Sequence, residues 1–201
     1  MTVATLTEFM LKVRQLLSIR LHGRNHMAAN HSYSTGPEIL EMPSQKMAAV
    51  YAKGTPEQVF PRVLPDLYGS VYSLNVELEK QGLSTFTVGR LRARYPDAHL
   101  VPTTEWTNVI GLPIPENTLS LPQKVGGNEI KIEVWEYGTV GQILVSGRED
   151  SEITAIERLH RYIRENNYKI IGVHEEEHLA QPNDDRLGVL VRYRISKKKH
   201  K

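Results

Sequence analysis

One order of elements occurs twice along this chain, and a repeat of that kind leaves few folds open. In the first half, Glu38–Glu41 and Lys46–Lys53 have strand composition and are joined by a turn through Pro43-Ser44. Gly54-Thr55-Pro56 follows, with Thr55 placed to cap a short turn that starts at Pro56. Pro61 and Pro65 would each interrupt a helical ladder, so the spacing predicts that the main helix starts at Pro65. Its apolar stripe is Leu67, Val71, Leu74 and Leu78, and it ends near Gly82. Phe86–Tyr95 and Trp106–Ile114 read as strands, stopped by Pro96-Asp97 and by Pro115.

The second half repeats the order. Glu129–Tyr137 and Val140–Ser146 suggest a hairpin across Gly138, with Ile130, Ile132 and Val134 forming an apolar face. Gly147 leads into a helix whose stripe is Ile153, Ile156, Leu159 and Ile163, closed by Asn166-Asn167. Tyr168–Leu179 is the next strand, Pro182–Asp185 a turn and Leu187–Ile195 the last strand. Each half thus runs strand, strand, helix and then a strand with an internal glycine, Gly89 or Gly172. The expected fold is α+β: tandem duplicated β-α-β-β units with antiparallel sheets, helices on one side and a central groove.

Residues 1–36 precede this unit. Leu6, Phe9, Met10, Val13, Leu16, Leu17 and Leu21 make an amphipathic helix over 6–21, followed by a polar linker that Gly36-Pro37 closes. That helix offers a face for packing on the body or for forming a homodimer. The expected division is an N-terminal helix and linker over 1–36, a duplicated domain over 37–197 and a basic tail over 198–201.

Charge and composition narrow the function classes. No run approaches the ~20 apolar residues of a membrane span, and Thr7, Glu8, Lys12 and Arg14 spoil a signal-peptide pattern. With no cysteine, thiolate catalysis and Cys-ligated zinc are excluded, and a reducing, cytoplasmic setting is suited. The 25 basic and 23 acidic residues leave a net charge of only +2, much of it in the terminal lysines. No dense basic face emerges, which disfavours direct DNA binding.

The densest ionisable run is His174-Glu175-Glu176-Glu177-His178. Its letters match the H-E-x-x-H zinc signature, which works only on a helix, where residues i and i+4 share a face. Ile170-Ile171-Gly172-Val173 before it and Pro182 after it favour a strand. There the two histidines would stand ~13 Å apart, too far for one zinc ion, so no metal or other cofactor is expected. Alternation puts His174, Glu176 and His178 on one face and Glu175, Glu177 and Leu179 on the other. A charged edge strand that discourages aggregation fits these letters too. If the run instead lines a cleft, a carboxylate can neutralise a cationic ligand or act as acid or base. Tyr68, Tyr72, Trp106, Trp135 and Tyr137 would supply rings for stacking and cation–π contact.

Tyr162–Tyr168 followed by Ile171–Leu179 resembles the GyrI-like small-molecule-binding domain, the effector-binding domain of multidrug-responsive transcription activators. Gly172, Glu176 and Leu179 match its G-x-x-x-E-x-Y-L pattern, with His178 standing where tyrosine is usual. Arg192–Ile195 resembles the closing R-Y-P-V strand, with Arg194 replacing proline, and Trp106–Ile114 resembles the last strand of the first repeat. The resemblance spans residues 37–197. It implies a central groove lined by aromatics with Glu176 at its heart, flanked by His174 and His178.

In the regulators of this family the groove receives bulky, often cationic and aromatic drugs. Stand-alone relatives include gyrase inhibitors and enzymes that hydrolyse cyclopropane-bearing compounds. Without a helix-turn-helix in the sequence, the resemblance points first to a stand-alone binder of amphipathic small molecules, cationic or aromatic. Two alternatives stand beside it. One is a hydrolase of an electrophilic, cyclopropanoid-like molecule, with Glu176 activating water and Tyr68, Tyr72 or Tyr137 donating a proton. The other is a protein-interaction module of the gyrase-inhibitor type.

Overall fold

The computed structural model describes residues 34, 36–98, 100–146, 152–179 and 188–198. The helix expected over 6–21, most of its linker, the Pro182–Asp185 turn and the end of the basic tail lie outside the described residues. The elements are β1 (Glu38–Met42), β2 (Gln45–Lys53), α1 (Pro56–Lys80), β3 (Arg92–Tyr95), β4 (Thr107–Pro113), β5 (Lys131–Trp135) and β6 (Gly138–Ser146). After these come α2 (Glu152–Glu165), β7 (Tyr168–Ile170), β8 (His174–His178) and β9 (Gly188–Lys197). The strands pair antiparallel in the order β1-β6-β9-β8-β3-β4-β2-β5, with β7 on β9. Among the described residues no helix is long and apolar enough to cross a membrane.

This order is a palindrome of two equivalent halves, which meet where β3 pairs β8. The expected hairpins do not form. β1 pairs β6 while β2 pairs β5, and the register continues across the break, with Met42 opposite Gly138 and Gln45 opposite Trp135. Pro43-Ser44 and Glu136-Tyr137 are therefore breaks in two long antiparallel segments that curl the sheet into a half-barrel. Because β5 ends the path, Val134 is 54% exposed and Trp135, from the other face, is buried. The apolar alternation expected from Ile130 to Val134 thus inverts at its end.

Contrary to the expectation of a start at Pro65, α1 is one helix from Pro56. Val59, Phe60, Val63 and Leu64 extend the stripe of Leu67 and Val71 and are buried against the sheet. Each contributes roughly 1.5–3 kcal/mol by burial, which outweighs the hydrogen bonds lost at two prolines. Pro61 and Pro65 lie on the exposed side, where water reaches the freed carbonyls. Thr55 makes no side-chain cap; its carbonyl accepts from the amides of Gln58 and Val59. Gly82, at φ +69°, ends α1 in the left-handed region, and Asn167, at φ 63°, does so after α2.

Two expected strands are shorter in the structure. Phe86 has its backbone amide and carbonyl satisfied by the Asn75 side chain at 2.9 and 2.8 Å, so pairing starts only at Arg92. The stretch Tyr168–Leu179 divides into β7 and β8 around Gly172. Gly89 and Gly172 sit outside the strands, packed on the closing strand of their own half. An added Cβ would lie 2.8 Å from the Pro113 ring in one case and 2.6 Å from Arg194 Cβ in the other. Gly89 precedes Arg92 at the spacing at which Gly172 precedes Glu175. Leu91, Ala93 and Tyr95 are therefore the counterparts of His174, Glu176 and His178.

Each helix covers one half of the sheet. α1 packs on Ala48, Val50, Ile110 and Leu112. Ala155, Leu159 and Ile163 of α2 pack on Ile143, Val191 and Tyr193, while Ile153, expected in that stripe, is exposed. A third cluster, including Met47, Val109, Trp135, Tyr137 and Val140, fills the opposite, concave face.

Candidate functional site

At the seam, the alternation of β8 sends its side chains to two different environments. His174, Glu176 and His178 face the helix layer, and His178 meets the Phe60 ring of α1 edge-on at 5.7 Å. Glu176 is only 8% exposed. Its Oε2 accepts from the Tyr95 hydroxyl at 3.1 Å, and its Oε1 lies 3.1 Å from His174 Nε2. A carboxylate only accepts, so His174 Nε2 carries the proton between them. In the neutral ring Nδ1 then accepts from the Tyr193 hydroxyl at 2.7 Å. His178 Nε2 approaches Glu176 Oε2 at 3.6 Å, is buried and makes no hydrogen bond.

Glu152, in the first turn of α2, completes the group. One donor atom each from Glu152, His174 and Glu176 lies within 4.8 Å of the others, a spacing at which the three can share a metal ion. This set differs from the H-E-x-x-H ligands, since it draws on α2 and omits His178.

The electrostatics follow from burial and from the two carboxylates. Burial pushes Glu176 up, but the hydrogen bond and charge of His174, with His178 and Tyr95, hold it below the usual carboxylate range. Burial and then the charge of Glu176 raise Glu152 from 4.5 to about 7, against an opposing effect of His174. Burial lowers His178, against the opposing charges of Glu176 and Glu177. The Tyr95 hydroxyl is pushed well up by burial and then by Glu176, with Glu152 and Glu57 adding to it. Among the described residues, no lysine or arginine forms an ion pair with Glu176 or Glu152. The arrangement can therefore receive a cation, or move a proton between the carboxylate and a tyrosine or histidine.

Glu175 and Glu177 point the other way, into the concave face. Arg192 reaches Glu175 at 2.9 Å and Glu177 at 3.2 Å, Arg94 reaches Glu175 at 2.6 Å and Arg92 reaches Glu177 at 3.3 Å. Tyr137 belongs to this network, since its hydroxyl donates to Glu175 at 3.0 Å and accepts from Arg92 at 2.8 Å. Trp135 lies under the Arg94 guanidinium at 4.0 Å. Trp135 and Tyr137 are thus on the opposite face from Glu176. Tyr68 and Tyr72 stack on each other along α1 at 6.1 Å, with Tyr68 against the core and Tyr72 43% exposed. Trp106 packs on Tyr95 at 5.6 Å, one ring removed from Glu176.

Three members of the group were not singled out from sequence: Tyr95, Tyr193 and Glu152. The first two carried a signal. Tyr193 shares a face with Val189, Val191 and Ile195 on the helix-covered strand β9, and Tyr95 ends the strand that pairs with β8. Glu152 carried none, because only the packing of α2 brings it there.

Solved structures share this architecture. An uncharacterised conserved protein from Listeria innocua superposes with a TM-score of 0.69 at 16% identity, covering 82% of this chain and 94% of that one. A hydrolase from Listeria innocua gives 0.66 at 15% identity, covering 83% and 94%. The C-terminal domain of EcmrR gives 0.59 at 12% identity, covering 81% and 98%. At these identities the likeness is one of fold. No family model matches the sequence, and no curated protein matches it.

Proposed function

We propose that the protein binds a small, amphipathic, cationic molecule between the two helices, with Glu176 as its counter-charge. One observation carries this reading: buried Glu176 and half-buried Glu152 are held close together, with imidazoles and phenols for company and no ion-paired lysine or arginine among the described residues. Buried negative charge of this kind calls for a cation. Tyr95, Tyr193 and Trp106 provide the rings that a flat or quaternary cation prefers. The test is calorimetric titration with benzyltrimethylammonium and with its uncharged tert-butyl isostere. The cation should bind more tightly, and Glu176→Gln should remove that preference. Equal affinity for both, or an unchanged preference in the variant, would refute it.

A second reading, hydrolysis of an electrophilic small molecule, has its own support. Tyr95 Oη at 3.1 Å and His178 Nε2 at 3.6 Å converge on one oxygen of Glu176, the geometry of a base with an adjacent proton donor. In this reading Glu176 takes a proton from water and Tyr95 protonates the leaving atom, in place of Tyr68, Tyr72 or Tyr137. Product formation by the wild type, lost in Glu176→Gln and in Tyr95→Phe while the fold persists, would favour it. The interaction-module reading expects an exposed acidic patch, whereas Glu175, Glu176 and Glu177 are all buried.

A further inference from the structure

The concave face holds a second constellation that the Glu176 reading does not use. A cleft of about 200 Å³ opens there, lined in part by Arg94, Arg192, Arg194, Tyr137, Glu175 and Glu136. That is less room than a drug-sized ligand needs, and enough for a small ion. The charges around it do not balance. Arg92, Arg94 and Arg192 share two carboxylates, Glu175 and Glu177. Both carboxylates are occupied: Glu175 accepts from Arg94, Arg192 and Tyr137, and Glu177 accepts from Arg192 with Arg92 and Arg90 at ion-pair distance. Glu133 is engaged elsewhere, accepting from the Tyr51 hydroxyl and the Trp135 indole. Glu136 is exposed at the rim, where water screens it.

The arginines, by contrast, have capacity to spare. Arg94 meets Glu175 through Nε alone, and its two terminal nitrogens make no hydrogen bond to any described residue. Its guanidinium carbon sits over the Trp135 ring at 4.0 Å, and this contact together with the Glu175 bond restrains the fork before any ligand arrives. Arg194 shares the Arg192 face of β9 and makes no side-chain hydrogen bond or ion pair with a described residue. Gly172 packs bare against its Cβ.

We propose that this cleft binds a small organic anion bearing a carboxylate or phosphate group, gripped by the Arg94 fork and by Arg194. Both groups match a planar guanidinium through paired N–H···O bonds. The site lies across the sheet from Glu176 and stands independently of what that residue does.

The test is titration of the full chain with succinate and, separately, inorganic phosphate by calorimetry, with sodium chloride holding ionic strength constant. At least one of the two should saturate, and the one that does identifies the group recognised. Arg94→Lys keeps the charge and loses the fork, and it should weaken binding about tenfold or more. Arg194→Gln should weaken it severalfold. Glu176→Gln, altered on the opposite face, should bind the anion as the wild type does. The proposal fails if neither anion saturates at concentrations on the order of 10 mM. It fails equally if Arg194→Gln, a rim substitution that leaves the buried network in place, binds as tightly as the wild type. That second arm decides the matter even if Arg94→Lys does not fold.

Discussion

Replacing Glu152 by Gln should make the protein more stable at alkaline pH and leave it nearly unchanged at acidic pH. In the folded protein Glu152 titrates at about 7 rather than 4.5, because it is desolvated and faces Glu176. The folded state therefore holds this proton more tightly than the unfolded chain does. That contribution to stability is fully present below pH 4.5, is lost progressively through pH 7, and is absent above it. The difference of roughly two and a half pH units corresponds to about 3 kcal/mol. Gln has no proton to lose and so escapes the loss. Against this, Glu152 stands in the first turn of α2, where a negative charge is favourable by ~0.3–1 kcal/mol, and Gln forfeits that. The net expectation is a gain of about 2 kcal/mol at pH 8.5, shrinking to zero or slightly below it at pH 4.5. Urea unfolding across this range, with a chelator present to exclude metal ions, measures it directly. A variant that loses stability at pH 8.5, or whose effect does not change with pH, would refute the idea that two carboxylates oppose each other here.

Arg192→Met removes the guanidinium that bridges Glu175 and Glu177, and it should cost about 3–5 kcal/mol in urea unfolding at neutral pH. Adding Glu175→Gln to that variant should recover part of the loss, and an additive loss would contradict a shared network. Pro61→Ala and Pro65→Ala should each raise stability by about 1–2 kcal/mol, since a restored helical hydrogen bond outweighs the added freedom of the unfolded chain. Lower thermal midpoints would show instead that the prolines are packed as the fold requires. Gly172→Ala forces a Cβ to within 2.6 Å of Arg194 Cβ and close to its backbone, and it should destabilise by about 1–3 kcal/mol. An unchanged midpoint would mean that β9 yields easily at that point.

Periodicity served the strands well because a strand has only two faces. Alternation alone separated His174, Glu176 and His178 from Glu175 and Glu177, and the structure keeps the two sets apart. Which set looks toward the helices was not readable from β8, since both faces are buried and both carry charge. The family pattern, not the local letters, singled out Glu176. In α1, Val59, Phe60, Val63 and Leu64 stand at helical spacing, but two prolines make Pro65 the expected start. The penalty at a proline depends on where its freed carbonyl points, and that is a property of the folded helix. Trp135 and Tyr137 went to the far face because β5 and β6 do not form a hairpin but continue one segment against β1 and β2. Such a pairing is non-local, and nothing in a hairpin-like stretch announces it.

Divergence of the two halves explains why the described residues hold one acid–histidine site and not two. The twofold relation of the halves pairs Arg92 with Glu177 and Arg94 with Glu175 across the seam. Arg92 and Glu175 are equivalent positions, as are Arg94 and Glu177, so the halves carry opposite charges at matching places. Two identical halves would set like charges against each other there, which is destabilising. Divergence in sign turns the same geometry into ion pairs. The other face diverged in polarity. The counterparts of His174, Glu176 and Tyr193 are Leu91, Ala93 and Leu112, all buried in the core under α1. In the first half these positions hold the helix to the sheet; in the second they carry a carboxylate and its donors beneath the start of α2. Converting Ala93 to Glu would not create a second site. It would set a carboxylate beside Glu176, directly across the ladder, with no histidine at position 91 to share it, and the chain should fail to fold at neutral pH. Soluble expression of that variant with an unchanged thermal midpoint would overturn the view that asymmetry at the seam is what allows Glu176 to be charged.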